Sequence, residues 1–241
     1  NSVSADASDD VSDCVCRPGF ENSGSVSCVP CAPGNFNAYF NASCLPCAIN
    51  TYSPIEQTLI CLECTDNSLT LQTASVSVDA CLCNSGYEQL DTECVLCAHG
   101  SYKSSVSSTG SCTVCPANTY SSPFRDVCLN CSGNSISSSN SSSATDCLCI
   151  AGYQATSFAS DACVECNVGF YKAQISNNDC LPCALGYYAS QSGAQHCVSC
   201  AENSYADALG STQCTACINN SYSLATSKTA TDCWCVAGYY F

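Results

Sequence analysis

The sequence predicts small disulfide-rich repeats: an elongated tandem array of short β-hairpin and loop modules with almost no helix. Three observations carry this. Cysteine supplies 28 of 241 residues, a density that marks a disulfide scaffold. The cysteines occur only as close pairs, CxC or CxxC, with 10 to 16 residues between pairs. Three residues after the second cysteine of every pair stands glycine or asparagine, fourteen times in fourteen.

Taken in order, residues 1–13 read as the end of a truncated repeat. A first cysteine-rich block, 14–80, opens on the CxC pair Cys14/Cys16 and a second, 81–146, on Cys81/Cys83. A third, 147–232, opens on Cys147/Cys149 and holds one extra unit of about 17 residues, as expected of a repeat array. Residues 233–241 begin a further block at Cys233/Cys235. The segments NSVSADASDDVSDCVC, NSISSSNSSSATDCLC and NSYSLATSKTATDCWC align, each with Asn thirteen residues before the CxC. Neither a methionine nor a signal-like segment is present, so the chain is expected to be a window of a longer protein.

Gly19, Gly34, Gly86, Gly100, Gly152, Gly169, Gly186 and Gly238, with Asn50, Asn67, Asn118, Asn134, Asn203 and Asn220, are the residues three past each pair. Both types reach positive φ, so each module is expected to open with a turn whose third residue is left-handed. An aromatic side chain follows in twelve modules, from Phe20 and Phe36 to Tyr222 and Tyr239, with Leu69 and Ile136 in the other two. The expected role of this anchor is to lie over a neighbouring disulfide as the module's miniature core. The competing reading is a row of exposed rings that stack on sugars.

The most economical pairing joins the second cysteine of each pair to the first of the next. It gives Cys16–Cys28, Cys31–Cys44, Cys47–Cys61, Cys64–Cys81, Cys83–Cys94, Cys97–Cys112 and Cys115–Cys128. Cys131–Cys147, Cys149–Cys163, Cys166–Cys180, Cys183–Cys197, Cys200–Cys214 and Cys217–Cys233 complete it, leaving Cys14 and Cys235 over. Interlocked pairing, first to first and second to second, remains the alternative, because connectivity does not follow from spacing. Closing a loop of about 15 residues contributes roughly 3 kcal/mol on the chain-entropy account. Such staples replace a core that these modules are too small to form.

Composition excludes several functions. Twenty acidic residues against five basic ones give a net charge of −15, a surface that repels nucleic acid and anionic lipid. Apolar runs are too short to span a bilayer. No cofactor, metal or catalytic residue is expected: there is no GxSxG elbow, and the two histidines, His99 and His196, sit in variable loops. CxxC pairs also suit zinc, but the CxC steps and scarce histidine oppose it. Asp6, Asp9, Asp10 and Asp13 form an acidic strip without calcium-loop spacing. N-x-S/T acceptors occur at Asn41, Asn130, Asn140 and Asn219, the second doubtful because Cys131 is its middle residue. The Ser-rich tract 135–145 could carry O-linked sugar.

Units such as CAPGNFNAYFNASCLPC, CPANTYSSPFRDVCLNC and CALGYYASQSGAQHCVSC resemble the ephrin-receptor-like cysteine-rich repeats of the growth-factor-receptor cysteine-rich superfamily. The TDC-x-C step is also similar to tumour-necrosis-factor-receptor modules, whose first loop pairs serially. The resemblance covers essentially the whole chain and implies an extracellular or cell-surface setting. Long arrays of this kind are similar to those of algal and protist surface and filament proteins. The expected function is a structural glycoprotein segment of an elongated rod or filament, associating with neighbouring copies and bearing covalent glycans. The alternatives are a receptor or adhesion ectodomain that binds a protein ligand along the array and, more remotely, a metal-binding storage protein.

Overall fold

The computed structural model describes residues 1–4, 10, 14–24, 27–107, 109–156 and 162–239. It divides into two compact units, Asn1–Thr113 with Pro123–Val127, and Val114–Ser122 with Cys128–Phe241.

Each module begins where a left-handed residue reverses the chain. Phe20 N–H donates to the Arg17 carbonyl at 3.1 Å, and Gly19 between them has φ 86°. All fourteen glycines and asparagines at this position have positive φ, from 59° at Asn67 to 93° at Gly238. A third residue in that conformation closes a type II turn, and the turn launches a short strand.

Those strands form antiparallel two-stranded hairpins. In the first unit Phe20–Asn22 pairs with Cys28–Pro30, Asn35–Phe36 with Leu45–Pro46, and Thr51–Tyr52 with Leu62–Glu63. Ser68–Leu69 pairs with Leu82–Cys83, and Tyr87–Leu90 with Glu93–Leu96. In the second unit Thr119–Ser121 pairs with Cys128–Asn130, Phe170–Tyr171 with Leu181–Pro182, and Ser221–Tyr222 with Trp234–Cys235. Among the described residues the helical segments are three 3-10 turns, Val78–Ala80, Ala144–Asp146 and Ala230–Asp232, each leading into a CxC pair. The fold is a tandem series of small disulfide-rich β-hairpin modules.

Thirteen disulfides run serially, from Cys16–Cys28 to Cys217–Cys233, each closing one module. Their Cα separations lie between 5.4 and 5.8 Å, within the range of unforced bridges. Cys14 is free and exposed; Cys235 is free and half-buried.

The core differs from the expectation of an aromatic anchor. The fully buried side chains are cysteines, among them Cys31, Cys47, Cys97, Cys115, Cys166, Cys183 and Cys200, together with Ser53 and Thr70. Of the fourteen anchors Phe20 alone is buried, while Ile136, Tyr222 and Tyr239 are exposed and the rest half-buried. Successive side chains of a strand point to opposite faces. With sulfur occupying the inner face, the residue after the ring turns inward: Asn37, Ser53, Thr70, Lys103, Ser121, Lys172, Ala189, Ala206 and Ser223 are all buried.

Candidate functional site

The inward residue after each anchor is the centre of a seam between modules. At Asn37, Ser53, Lys103, Lys172, Ala189 and Ala206 its carbonyl accepts from the left-handed turn residue of the preceding module, and its own N–H donates to the loop of the following one; at Thr70 the side-chain hydroxyl accepts from Asn50 N–H instead. In the first unit Gly34 N–H donates to the Ser53 carbonyl at 2.8 Å, and Ser53 N–H to the Ser75 carbonyl at 3.0 Å. In the second, Gly169 N–H donates to Ala189 at 2.8 Å, and Ala189 N–H to Ser211 at 3.1 Å. A third bond returns: Gln57 N–H donates to the Cys31 carbonyl at 3.0 Å, and Gly210 N–H to Cys183 at 2.8 Å. These bonds satisfy the backbone groups that a two-residue strand leaves unpaired.

The seam explains why some turns carry glycine and others asparagine. A Cβ on Gly34 would stand 2.3 Å from the Ala74 carbonyl oxygen, on Gly152 2.3 Å from that of Gly193, and on Gly186 2.4 Å from that of Thr226. Each carbonyl belongs to the loop two modules ahead. Positive φ alone would admit asparagine; the crossing loop does not.

Two seams are sealed by a buried cation. Lys103 Nζ donates to the carbonyls of Tyr87 at 2.6 Å, Ser107 at 2.9 Å and Cys83 at 3.2 Å. Lys172 Nζ reaches the carbonyls of Tyr153, Cys149 and Ser176 in the same arrangement. Burial lowers the pKa of both lysines, opposed at Lys103 by the nearby Glu88 carboxylate. The corresponding position in the first cysteine-rich block holds Asn37, whose amide donates at 2.8 Å to the carbonyls of Phe20 and Ala42. A carboxylate or amide oxygen latches the same pair of modules: Glu21 accepts from Cys44 N–H, Glu88 from Cys112 N–H and Gln154 from Cys180 N–H, at 2.8–2.9 Å.

The sugar-acceptor asparagines are spread over both units. Asn41 (φ 54°) and Asn140 (φ 66°) occupy equivalent loop positions, with N–H groups bonded to the carbonyls of Cys16 and Cys115 at 2.8 and 2.9 Å. Asn130 lies in a hairpin strand opposite Thr119, and Asn219 in the turn before Ser221–Tyr222. All four are exposed. An open groove of about 630 Å³ next to Asn140 is lined by Ile136, Ser137, Ser139, Asp146, Leu148 and Ile175. Asp146 is held below the usual carboxylate range, chiefly by the N–H of Ser142 at 2.7 Å and also by that of Ser143.

His99 lies against Arg125, whose Nη2 is 3.0 Å from its Nε2 and whose Nη1 donates to the Cys97 carbonyl. His196 is exposed. Of the acidic strip, Asp6, Asp9 and Asp13 lie outside the described residues. Among the described residues no group of three His, Cys, Asp or Glu side chains could hold a metal, and no helix is long and apolar enough to cross a membrane.

Serial disulfides, hairpin modules and a backbone seam define a cysteine-rich repeat protein of the EGF-like type, built for an oxidising extracellular or cell-surface setting. The tyrosine-protein kinase ephrin type A/B receptor-like family matches residues 34–81, 86–124 and 152–196, and the chain belongs to that family. It is also similar to cysteine repeat modular protein A of Toxoplasma gondii, 30% identical over 104 residues, covering 38% of this chain. The match spans 3% of that protein's length.

The inward residues and the seam escaped the sequence reading. The available signal was alternation: a ring on one face of a strand puts its successor on the other.

Proposed function

We propose that the chain is a segment of an extracellular structural glycoprotein that assembles with neighbouring copies into a rod or filament and performs no catalysis. The observation that supports this most is the seam, in which Gly34, Ser53 and Ser75, or Gly169, Ala189 and Ser211, link three successive modules by backbone bonds. Stability then comes from each module and its neighbours, as in other repeat arrays. The larger period is part of the proposal: blocks of modules opening at Cys14, Cys81, Cys147 and Cys233, with glycine turns in the leading modules and asparagine turns in the last two. Electron microscopy of native material tests it, with regular fibres expected and monodisperse single particles overturning it.

A second reading, an adhesion or receptor ectodomain, draws support from loop tips that hold large apolar side chains in solvent, such as Phe124 at 77% exposure and Ile60 at 76%. Exposed apolar groups of this kind mark contact surfaces. Single particles that capture one protein ligand would favour it.

A further inference from the structure

We propose that, of the four acceptor asparagines, Asn41 is the one that carries sugar, and that its first sugar residue packs over the rings of Tyr39 and Phe40. This rests on the glycoprotein reading above, but not on filament assembly.

The loop that presents Asn41 is held from inside. Asn37 is 2% exposed; its Oδ1 accepts from Tyr39 N–H at 2.9 Å and its Nδ2 donates to the Ala42 carbonyl at 2.8 Å. Asn41 N–H is bonded across the seam to Cys16. With the backbone clamped inward, the side chains face solvent: Tyr39 is 74% and Phe40 59% exposed, beside an exposed Asn41. Two adjacent rings on a rigid loop leave apolar surface in water at a cost of about 25 cal/mol per Å². The C–H face of an N-linked hexosamine attached one or two residues away is the covering group within covalent reach.

The acceptor hydroxyls separate the four sites further. Transfer needs a free Ser or Thr hydroxyl two residues after the asparagine. In the sequence after Asn140, the Ser142 hydroxyl faces the Asp146 carboxylate at 3.2 Å and its N–H donates to the same oxygen at 2.7 Å. After Asn219, the Ser221 hydroxyl donates to the Ile218 carbonyl at 2.6 Å. These bonds span three or four residues, so they form locally as the chain emerges and compete with the transferase. Asn130 is followed by Cys131, which is disulfide-bonded to Cys147. Ser43, two residues after Asn41, is exposed and makes no hydrogen bond among the described residues.

In the transfer, the Asn41 amide nitrogen bonds to C1 of the first N-acetylglucosamine. The bond from that carbon to the pyrophosphate oxygen of a lipid-linked oligosaccharide donor breaks, and the lipid pyrophosphate leaves with the amide proton taken up by base.

The test uses the full chain secreted from a eukaryotic host. Enzymatic release of N-glycans in heavy-oxygen water, followed by peptide mapping, reads occupancy at each asparagine. Asn41 is expected to be the most occupied, and Ser43→Ala, which leaves the Asn41 backbone untouched, to abolish its label. Higher occupancy at Asn130, Asn140 or Asn219 would overturn the assignment. Hydroxyl-radical footprinting then reads the packing: oxidation of Tyr39 and Phe40 should rise several-fold after glycan release, and equal rates before and after would refute it. Both readouts are independent of whether fibres form, so either can fail while the filament reading stands.

Discussion

The carbonyl oxygen of Gly210 lies 2.0 Å from the point where a Cβ on Gly169 would stand. The two residues are two modules apart, yet the space between them is closed to any side chain. Turn chemistry and inter-module packing therefore meet at one position.

Exchanging the two turn residues should separate these demands. Gly169→Asn keeps a residue tolerant of φ 83° but pushes its Cβ into Gly210. It is expected to cost about 1–3 kcal/mol, as overpacking does. Asn203→Gly, at φ 66°, should stay within about 1 kcal/mol. Hydrogen exchange at the Gly210 amide, which donates to Cys183, measures both; equal effects would show that φ alone chooses glycine.

Removing the buried ammonium should loosen a seam. Lys172→Met removes that donor from the carbonyls of Cys149, Tyr153 and Ser176; Cys149 keeps the Ser176 N–H at 3.0 Å, and each group left buried and unsatisfied costs about 1–3 kcal/mol. Lys172→Asn should be milder, because Asn37 serves the equivalent position with two hydrogen bonds. Limited proteolysis at residues 173–176 should follow the order Met, Asn, wild type, and a Met variant as resistant as wild type would remove the lysine from the account.

Deleting one staple should act locally. Cys183→Ser with Cys197→Ser removes a bridge of sequence separation 14, worth about 3 kcal/mol on the chain-entropy account. Amides of Ala189 and Gly193 should lose protection, while the hairpin Ser221–Tyr222 with Trp234–Cys235 keeps it. Loss of protection throughout the second unit would mean that the modules fold as one cooperative body.

Acid should undo the 3-10 turns Ala144–Asp146 and Ala230–Asp232. Asp232 is held below its ordinary value chiefly by the backbone N–H of Lys228, then of Thr229, and Asp146 by those of Ser142 and Ser143. A depressed folded-state pKa contributes stability above the unfolded carboxylate value, near about 3.9, and that contribution is lost as pH falls through the folded value. Trp234, two residues beyond Asp232 and edge-on to Tyr222 at 5.7 Å, supplies the readout. Its emission should change as pH drops below about 4, and Asp232→Asn should flatten the change; an unaltered acid response in that variant would place the transition elsewhere.

The chain's cysteine spacing and its glycine and asparagine positions could be read directly, because each is a local property, whereas the structure chose serial staples over the interlocked alternative. A CxxC pair and a residue tolerant of positive φ constrain only the few bonds around them, so Gly19 and Asn67 announced their turns without reference to anything distant. The burial of Ser53, Lys103 and Ala189, the outward placement of Tyr39 and Tyr222, and the choice of glycine over asparagine at Gly169 were decided only in three dimensions. Each depends on a carbonyl or a loop belonging to another module, brought within reach by bonds that sequence distance conceals. In a protein whose interior is sulfur and backbone, hydrophobicity points to the wrong residue, and the hydrogen-bond needs of neighbouring modules determine which side chain turns inward.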